Sequence, residues 1–438
     1  MDADLILHNA TEVATCAGPA PLKGERQGQA GVLRNASIAG RKGRIVFIGS
    51  ADECQRRVQL SRRGVELDAS GCSIVPGFVD GHTHLVFAGD RRQELRRRLA
   101  GATYEDIAAE GGGILATVAA TCAATEGELA SASRVRLRGM LACGTTTAEV
   151  KSGYGLTVAD ELKILRAIRR AGAMQPVDLV PTFLGAHEIP LAYRSNPASY
   201  VALVVEKMVP EVAENHLAES CDVFCERGAF TVDQSRCVLQ AARATGLQTR
   251  VHANEFHASG GARLAAEVGA RSADHLIFID DDDVRSLAEA GTVATLLPAA
   301  AFYLKLGRYA PARLLIEQGV PVALGTDLNP GPGLAASMPF VITLACFGMA
   351  MTLEESLVAA TINSAYALNR HDVTGSLEVG KYFDAVVIHG PLDALLAMGA
   401  SPIRQVIKRS HVVYQARPLA WGPRSRHRAE KDLPNEER

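Results

Sequence analysis

No uninterrupted apolar stretch in this chain is long enough to span a bilayer, which excludes a membrane-crossing helix. An excess of one charge sign is also missing. The 46 Lys and Arg against 48 Asp and Glu leave a net charge of −2, so the chain has no electrostatic footprint for nucleic acid or for an anionic membrane. The nine cysteines are an odd number without a Cys-x-x-Cys pair, and the opening Met1-Asp2-Ala3-Asp4 lacks the basic and apolar regions of a signal peptide. Reduced thiols in a cytoplasmic protein are therefore expected. Cys221 and Cys225 flank a candidate strand and read as buried, inert thiols rather than metal ligands. Aromatic residues are scarce at 5%, while hydrophobic residues reach 47% and charged residues 21%. That balance suits the aliphatic core of an α/β protein and is far from a disordered composition.

With 438 residues the chain exceeds the size at which one core usually stops growing, although an α/β barrel can hold most of it as one domain. Short apolar runs at 74–79, 145–151, 177–184, 221–225, 249–252, 273–277, 293–297 and 320–325 predict strands. Helical patterns at 128–142, 159–171, 198–217, 232–244, 261–268, 281–290 and 312–318 lie between them. This alternation reads as a (β/α)8 TIM-type barrel rather than an open sheet. The flanks differ: residues 4–70 hold short alternating strands such as 5–7 and 44–48 with glycine-rich turns, and 383–388 has the same character. Neither flank has enough apolar residues for a core of its own, so both chain ends are expected to pair into one smaller β-sandwich domain. The expected organisation is an N-terminal β-sandwich segment over 1–74, a metal-dependent barrel over 75–375, a C-terminal β-sandwich segment over 376–422 and a mobile tail over 423–438, which is dense in Arg, Glu and Pro. The basic cluster at 91–98 reads as a solvated helix face.

Two imidazoles, His82 and His84, close the run Val75-Pro76-Gly77-Phe78-Val79-Asp80-Gly81-His82-Thr83-His84, where the first barrel strand ends. Alternate residues of a strand face the same way, so both rings can reach one metal ion. Taken alone, the pair suits a solvated strand end equally well. His252 at the end of strand five, His275 at that of strand six and Asp327 at that of strand eight shift the balance, because barrel chemistry collects at the C-terminal strand ends. Three neutral imidazoles and a carboxylate suit Zn(II) or Fe(II), and a position left open for water makes such a site catalytic. Strand four, Asp222-Val223-Phe224-Cys225-Glu226, offers no lysine to be carboxylated as a bridge, which points to one divalent metal ion. Glu226 there reads as a surface carboxylate.

Glu255, in His252-Ala253-Asn254-Glu255, is placed to take a proton from an attacking water and pass it to a leaving nitrogen. A helix N-terminal acid is the alternative reading, and Asp327 is the competing base. The glycines of Leu328-Asn329-Pro330-Gly331-Pro332-Gly333 allow close backbone approach to a ligand. Arg91 and Arg92 follow strand one, Tyr154 strand two and His187 strand three. An arginine with a tyrosine and a histidine at the barrel mouth suits a substrate carboxylate, which guanidinium grips bidentately.

The blocks Asp80-Gly81-His82-Thr83-His84-Leu85-Val86-Phe87-Ala88-Gly89-Asp90-Arg91, Gly111-Gly112-Gly113-Ile114, Lys151-Ser152-Gly153-Tyr154-Gly155-Leu156, Leu184-Gly185-Ala186-His187-Glu188, Ser272-Ala273-Asp274-His275-Leu276 and Gly325-Thr326-Asp327-Leu328-Asn329-Pro330-Gly331 carry a resemblance that covers nearly the whole chain. Through them the chain resembles the amidohydrolase superfamily and, more closely, its imidazolonepropionase family. The resemblance implies hydrolysis of 4-imidazolone-5-propanoate to N-formimidoyl-L-glutamate. It implies metal binding by His82, His84, His252 and Asp327, and carbonyl polarisation or water positioning by His275. Substrate would be held by Arg91, Tyr154, His187, Glu255, Asn329 and Gly331, with Arg91 on the propionate. Three places depart from the family pattern: Asn254 in place of aspartate, Cys122 in place of arginine, and Pro332-Gly333 where a small hydroxyl residue follows the glycine. Loss of that hydroxyl removes one hydrogen bond to substrate, worth about 0.5–1.5 kcal/mol. The rival reading keeps the site but acts as a deaminase on an amino-heterocycle or formimino compound. The partner expected in either case is a small heterocyclic substrate, anionic in the first, and the barrel's helix faces can pair the chain as a homodimer.

Overall fold

In the computed structural model, which describes residues 1–102, 106–107, 111–331, 333–397 and 401–416, the strands fall into two sheets. The first sheet begins with β1 (Asp2–Ala14), β2 (Val32–Arg41), β3 (Arg44–Ser50), β4 (Gln59–Asp68) and β5 (Cys72–Pro76). The second is a parallel barrel of β6 (Phe78–Asp80), β7 (Thr145–Lys151), β8 (Asp178–Ala186), β9 (Ser220–Cys225), β10 (Gln248–Ala253), β11 (Ser272–His275), β12 (Val293–Leu296) and β13 (Val322–Leu324). The chain then returns to the first sheet as β14 (Ala385–His389), β15 (Ile403–Lys408) and β16 (His411–Gln415).

The two chain ends meet where β5 pairs antiparallel with β14, Val75 opposite Val386 and Ile74 opposite Val387. The order through that junction is β16-β15-β14-β5-β1-β2-β3, with β4 also on β1. Alternation along β1 supplies apolar side chains to both faces. Leu5 and Leu7 join a cluster with Ile38, Ile74 and Phe383, while Ile6 packs with Ala39 and Phe47 on the other side. The tail expected over 423–438 lies outside the described residues.

Barrel strands are buried on both faces, as helices on the outside require; every residue of β6, β7, β11, β12 and β13 is buried. The crossover helices start where the sequence offers a cap. Thr125, Thr231 and Asp280 each accept from the third helical N–H and are answered by Glu128, Gln234 and Asp283, an arrangement worth about 1 kcal/mol per cap.

Two expectations are corrected. The apolar run 74–79 is two strands, because Gly77 lets the chain leave the end sheet after Pro76 and enter the barrel at Phe78. The helical pattern over 198–217 divides into Pro197–Leu203, a wider turn over Val204–Met208 and Val209–Glu214. Pro210 has no N–H to continue the i→i−4 ladder, so the turn before it opens.

A Cβ on Gly77 would stand 2.3 Å from Thr146 Oγ1 and 2.5 Å from its Cγ2. Gly77→Ala should therefore lower stability by about 1–3 kcal/mol through overpacking. The check is a fall in the urea midpoint at unchanged slope.

Candidate metal centre and active site

Between β6 and β13 the barrel closes through residues just beyond the strand ends. Gly81 N donates to Leu324 O at 3.1 Å, Asp327 N to His82 O at 3.0 Å and His84 N to Leu328 O at 2.9 Å. Asp80 clamps the same seam, its carboxylate accepting from Thr326 N at 2.9 Å and Thr326 Oγ1 at 2.6 Å. Burial pushes the Asp80 carboxyl up to about 7 against those hydrogen bonds. The seam sets His82 and His84 beside Asp327.

His82 Nε2 lies 3.2 Å from His84 Nε2, which lies 3.2 Å from His252 Nε2. Asp327 Oδ1 is 3.7 Å from His82 Nε2 and 3.6 Å from His84 Nε2. Burial holds the His82 and His84 imidazoles well below their ordinary pKa, so both are neutral and present lone pairs. Behind the rings, His82 Nδ1 donates to Asp274 Oδ2 at 2.7 Å and His252 Nδ1 faces Asp222 Oδ2 at 2.9 Å. A carboxylate on Nδ1 leaves Nε2 as the ligand atom. Buried nitrogens that converge at this spacing suit a cation held between them, and the three ligand atoms lie within 4.8 Å of one another. These residues form a site for a divalent metal ion.

Backbone conformation is unusual at the same strand ends. Asn254, His275, Leu276 and Asp327 have φ of 54°, 73°, 56° and 51°, a left-handed region that costs non-glycine residues about 1–3 kcal/mol each. His275 ends β11, and among the described residues its Nδ1 has no hydrogen-bond partner. The nearest carboxylate is Glu255, with Oε1 at 3.7 Å. Burial first, and then the charges of Asp327 and Glu226, raise the Glu255 carboxyl well above its ordinary range. Burial likewise pushes the Asp327 carboxyl up to about 7.

Most of the residues named from the sequence line one cavity at the barrel mouth: His84, Arg91, Tyr154, His187, His252, Glu255, His275, Asp327 and Asn329. His187 stacks on His84 with ring centroids 5.0 Å apart and bonds through Nδ1 to Gly153 O at 3.0 Å. Burial drives its imidazole down to about 3. Arg91 Nε and Nη2 meet Glu94 Oε2 at 2.8 and 2.7 Å, which aims the guanidinium across the mouth. Gly331 lies outside the lining, and a Cβ there would stand 2.6 Å from Arg91 Nη1. The Asn329 amide is engaged in its own loop, donating to Asp327 O and accepting from Gly331 N and Gly333 N. Gly333 admits no side chain, since its Cβ would fall 1.8 Å from Asp327 O. Gly333 thus closes a tight turn against the Asp327 carbonyl; Pro332 lies outside the described residues.

Three readings change. Glu226 is buried, and instead of facing solvent it accepts from Phe256 N at 2.9 Å, His257 N at 3.2 Å and Ser259 Oγ, holding the loop that carries Glu255. Glu255 caps no helix, the next one beginning at Gly261. Arg98 is not on a solvated face: it is buried and donates to Gly331 O at 3.1 Å and Tyr303 O at 3.3 Å.

Sequence reasoning missed the charges below the metal site. Lys151 is fully buried, with Nζ 2.7 Å from Asp222 Oδ2, 2.8 Å from Glu149 Oε1 and 3.7 Å from Asp274 Oδ2. Burial alone would lower its pKa, but the three carboxylates hold the ammonium above its ordinary range. The available signal was Glu149 and Lys151 two apart in a strand otherwise buried and uncharged, hence both inside the barrel. Glu161 was missed as well: its carboxylate accepts from Gly153 N at 2.9 Å, Gly155 N at 2.7 Å and Leu156 N at 2.8 Å, shaping the loop that presents Tyr154.

Comparison with known proteins follows the same lines. The model of the amidohydrolase family matches residues 73–418. The chain is 49% identical over 413 residues to an imidazolonepropionase of Symbiobacterium thermophilum, covering 94% of this chain and 97% of that protein. It is 46% identical over 415 residues to one of Geobacillus kaustophilus, covering 93% and 97%. Among solved structures, a triazine hydrolase variant has a TM-score of 0.73 at 18% identity, covering 94% of each chain. A zinc-bound adenosine deaminase from Xanthomonas campestris has a TM-score of 0.66 at 18% identity, covering 94% of this chain and 93% of that one. These two likenesses concern the fold.

A metal that binds the folded chain and not the unfolded one stabilises it, by about 2.7 kcal/mol when free metal exceeds Kd about 100-fold. Dialysis against a chelator should therefore lower Tm in scanning calorimetry, and Zn(II) or Fe(II) should restore it. A Tm indifferent to both steps would rule the site out.

Proposed function

The chain belongs to the amidohydrolase family and, within it, to the imidazolonepropionases, and from that premise we propose that it hydrolyses 4-imidazolone-5-propanoate to N-formimidoyl-L-glutamate in L-histidine degradation. The observation that carries this reading is the meeting of Arg91, Tyr154 and His187 with Glu255, His275 and the imidazoles of His84 and His252 in one cavity, with His82 buried beside those two rings, in a chain 49% identical to an imidazolonepropionase over nearly its full length. His82, His84, His252 and Asp327 are the ligands in this proposal, and their nitrogen and oxygen donors suit Zn(II) or Fe(II). When bound, such an ion supplies Lewis acidity and brings the pKa of water down to about 7.

The rest is the work of side chains. Arg91 takes the propionate, its fork held by Glu94. His275 donates to the ring carbonyl oxygen, where negative charge develops as water adds to the carbonyl carbon. Glu255 accepts the proton from that water and returns it to the ring nitrogen as the amide C–N bond breaks, leaving a carboxylate and an open amidine. Neutral His187 beside His84 completes the wall without placing a positive charge next to the ligands. All nine cysteines are free, and no described helix is long and apolar enough to cross a membrane. A small diffusible substrate and reduced thiols together favour the cytoplasm.

The assay follows loss of the ultraviolet absorbance of freshly prepared imidazolone propionate with metal-loaded protein. Absence of turnover, together with ammonia release from aminated heterocycles, would replace this reading with the deaminase one.

The proton shuttle requires ionised Glu255, which is protonated at low pH and ionises only as pH rises through its raised pKa. kcat/KM should fall toward acid along a limb lying above the ordinary glutamate value of about 4.3. Glu255→Gln should lower kcat about 100- to 10,000-fold and flatten that limb; an unchanged pH profile would exclude the role.

His275→Ala should keep its metal by elemental analysis while kcat falls about 100- to 1,000-fold. Full activity in that variant would remove His275 from the reaction.

A further inference from the structure

Lys151 touches three carboxylates, and each of them also holds a different part of the metal centre. The Asp222 oxygen that accepts from Nζ at 2.7 Å is the one 2.9 Å from His252 Nδ1. The Asp274 oxygen 3.7 Å from Nζ is the one bonded to His82 Nδ1 at 2.7 Å. Glu149 accepts from Nζ with Oε1 at 2.8 Å and, with Oε2, from the backbone N–H of Thr83 at 3.1 Å, between His82 and His84. We infer that Lys151 is a positioning residue, a single ammonium that hydrogen-bonds Asp222 and Glu149 and ion-pairs with Asp274, and so sets the rings of His82 and His252 and the backbone that carries His84.

The geometry separates this role from simple support of the barrel. Lys151 N already donates to Thr83 O at 2.9 Å, and Thr83 Oγ1 to Glu149 O at 2.6 Å, so β7 is fastened to the segment after β6 without the ammonium. Arg250, the other cation acting on Lys151 and Asp274, spends its hydrogen bonds on Ser272 Oγ and Ala367 O. Asp274 Oδ1 has no hydrogen-bond partner among the described residues. Without Lys151, Asp274 is fixed only by the ring it orients, and the three buried carboxylates lose the ammonium between them. They move apart, and the imidazoles they hold follow.

The inference rests on the metal-site reading above but not on the identity of the substrate. Lys151→Met keeps an unbranched chain one atom shorter and removes the charge and donors. The readouts are Zn(II) affinity by competition with a chromophoric chelator, the ligand-field spectrum of the Co(II)-loaded protein, and kcat and KM separately. The folded variant, judged by circular dichroism, should bind Zn(II) about 10- to 100-fold more weakly. It should also show shifted Co(II) bands and lose kcat with little change in KM. Lys151→Gln, which retains N–H donors, should recover part of each effect. Wild-type affinity and Co(II) bands in folded Lys151→Met would overturn the inference. So would failure of both variants to fold, because the ammonium would then serve the barrel rather than the rings. Absence of imidazolone turnover in the wild type would count against the proposed substrate alone, since affinity and spectrum are read without it.

Discussion

Closure of the barrel between β6 and β13 is the constraint from which the site follows. The hydrogen bond from Asp327 N to His82 O and that from His84 N to Leu328 O align two segments far apart in the chain. Without that alignment the His82-Thr83-His84 pair is two rings at a strand end. With it, Asp327 comes within 3.7 Å of both ligand nitrogens. The same closure turns Asp327 into a left-handed conformation and requires a glycine at 333, whose backbone runs against the Asp327 carbonyl. The local strain is tolerated because the surrounding strands over-determine the geometry.

Burial then dictates the electrostatics. Imidazoles deep in the barrel are held neutral, which is the state a metal ligand needs. Carboxylates cannot be buried unpaired without a penalty of several kcal/mol each, so Asp222, Asp274 and Glu149 gather round one ammonium. The mouth follows the same logic. Arg91 is paired with Glu94, and Glu226 and Glu161 spend their charge on backbone N–H groups of the loops bearing Glu255 and Tyr154. The groups that line the cavity and the groups that hold them are thus largely distinct sets of side chains.

The site was legible in the sequence where local rules apply. Strand periodicity and the collection of polar residues at C-terminal barrel ends marked His82, His84, His252, His275 and Asp327, and all five lie at the ends of barrel strands or just beyond them. What escaped was set by distant partners. Glu226 read as a surface acid because nothing near it in sequence reveals the loop at 256–259 that covers it. Arg98 read as solvated because its acceptors, the carbonyls of Tyr303 and Gly331, come from elsewhere in the chain. Lys151 was visible as one residue of a motif, but its three carboxylates arrive from three strands.

The sequence specifies most of the strands and helices and which residue types stand at their ends, since alternation, caps and proline and glycine placement act over a few residues. It also determined that both chain ends must share a sheet, because neither carries enough apolar surface alone. Only the tertiary structure decided which carboxylate faces which ring, which arginine points into the mouth and which is locked beneath it, and that a buried lysine joins three acids under the metal ligands. Those outcomes depend on distances between segments that sequence spacing does not encode, and in a low-dielectric interior such distances decide whether a charge is a reactant, a tether or a liability.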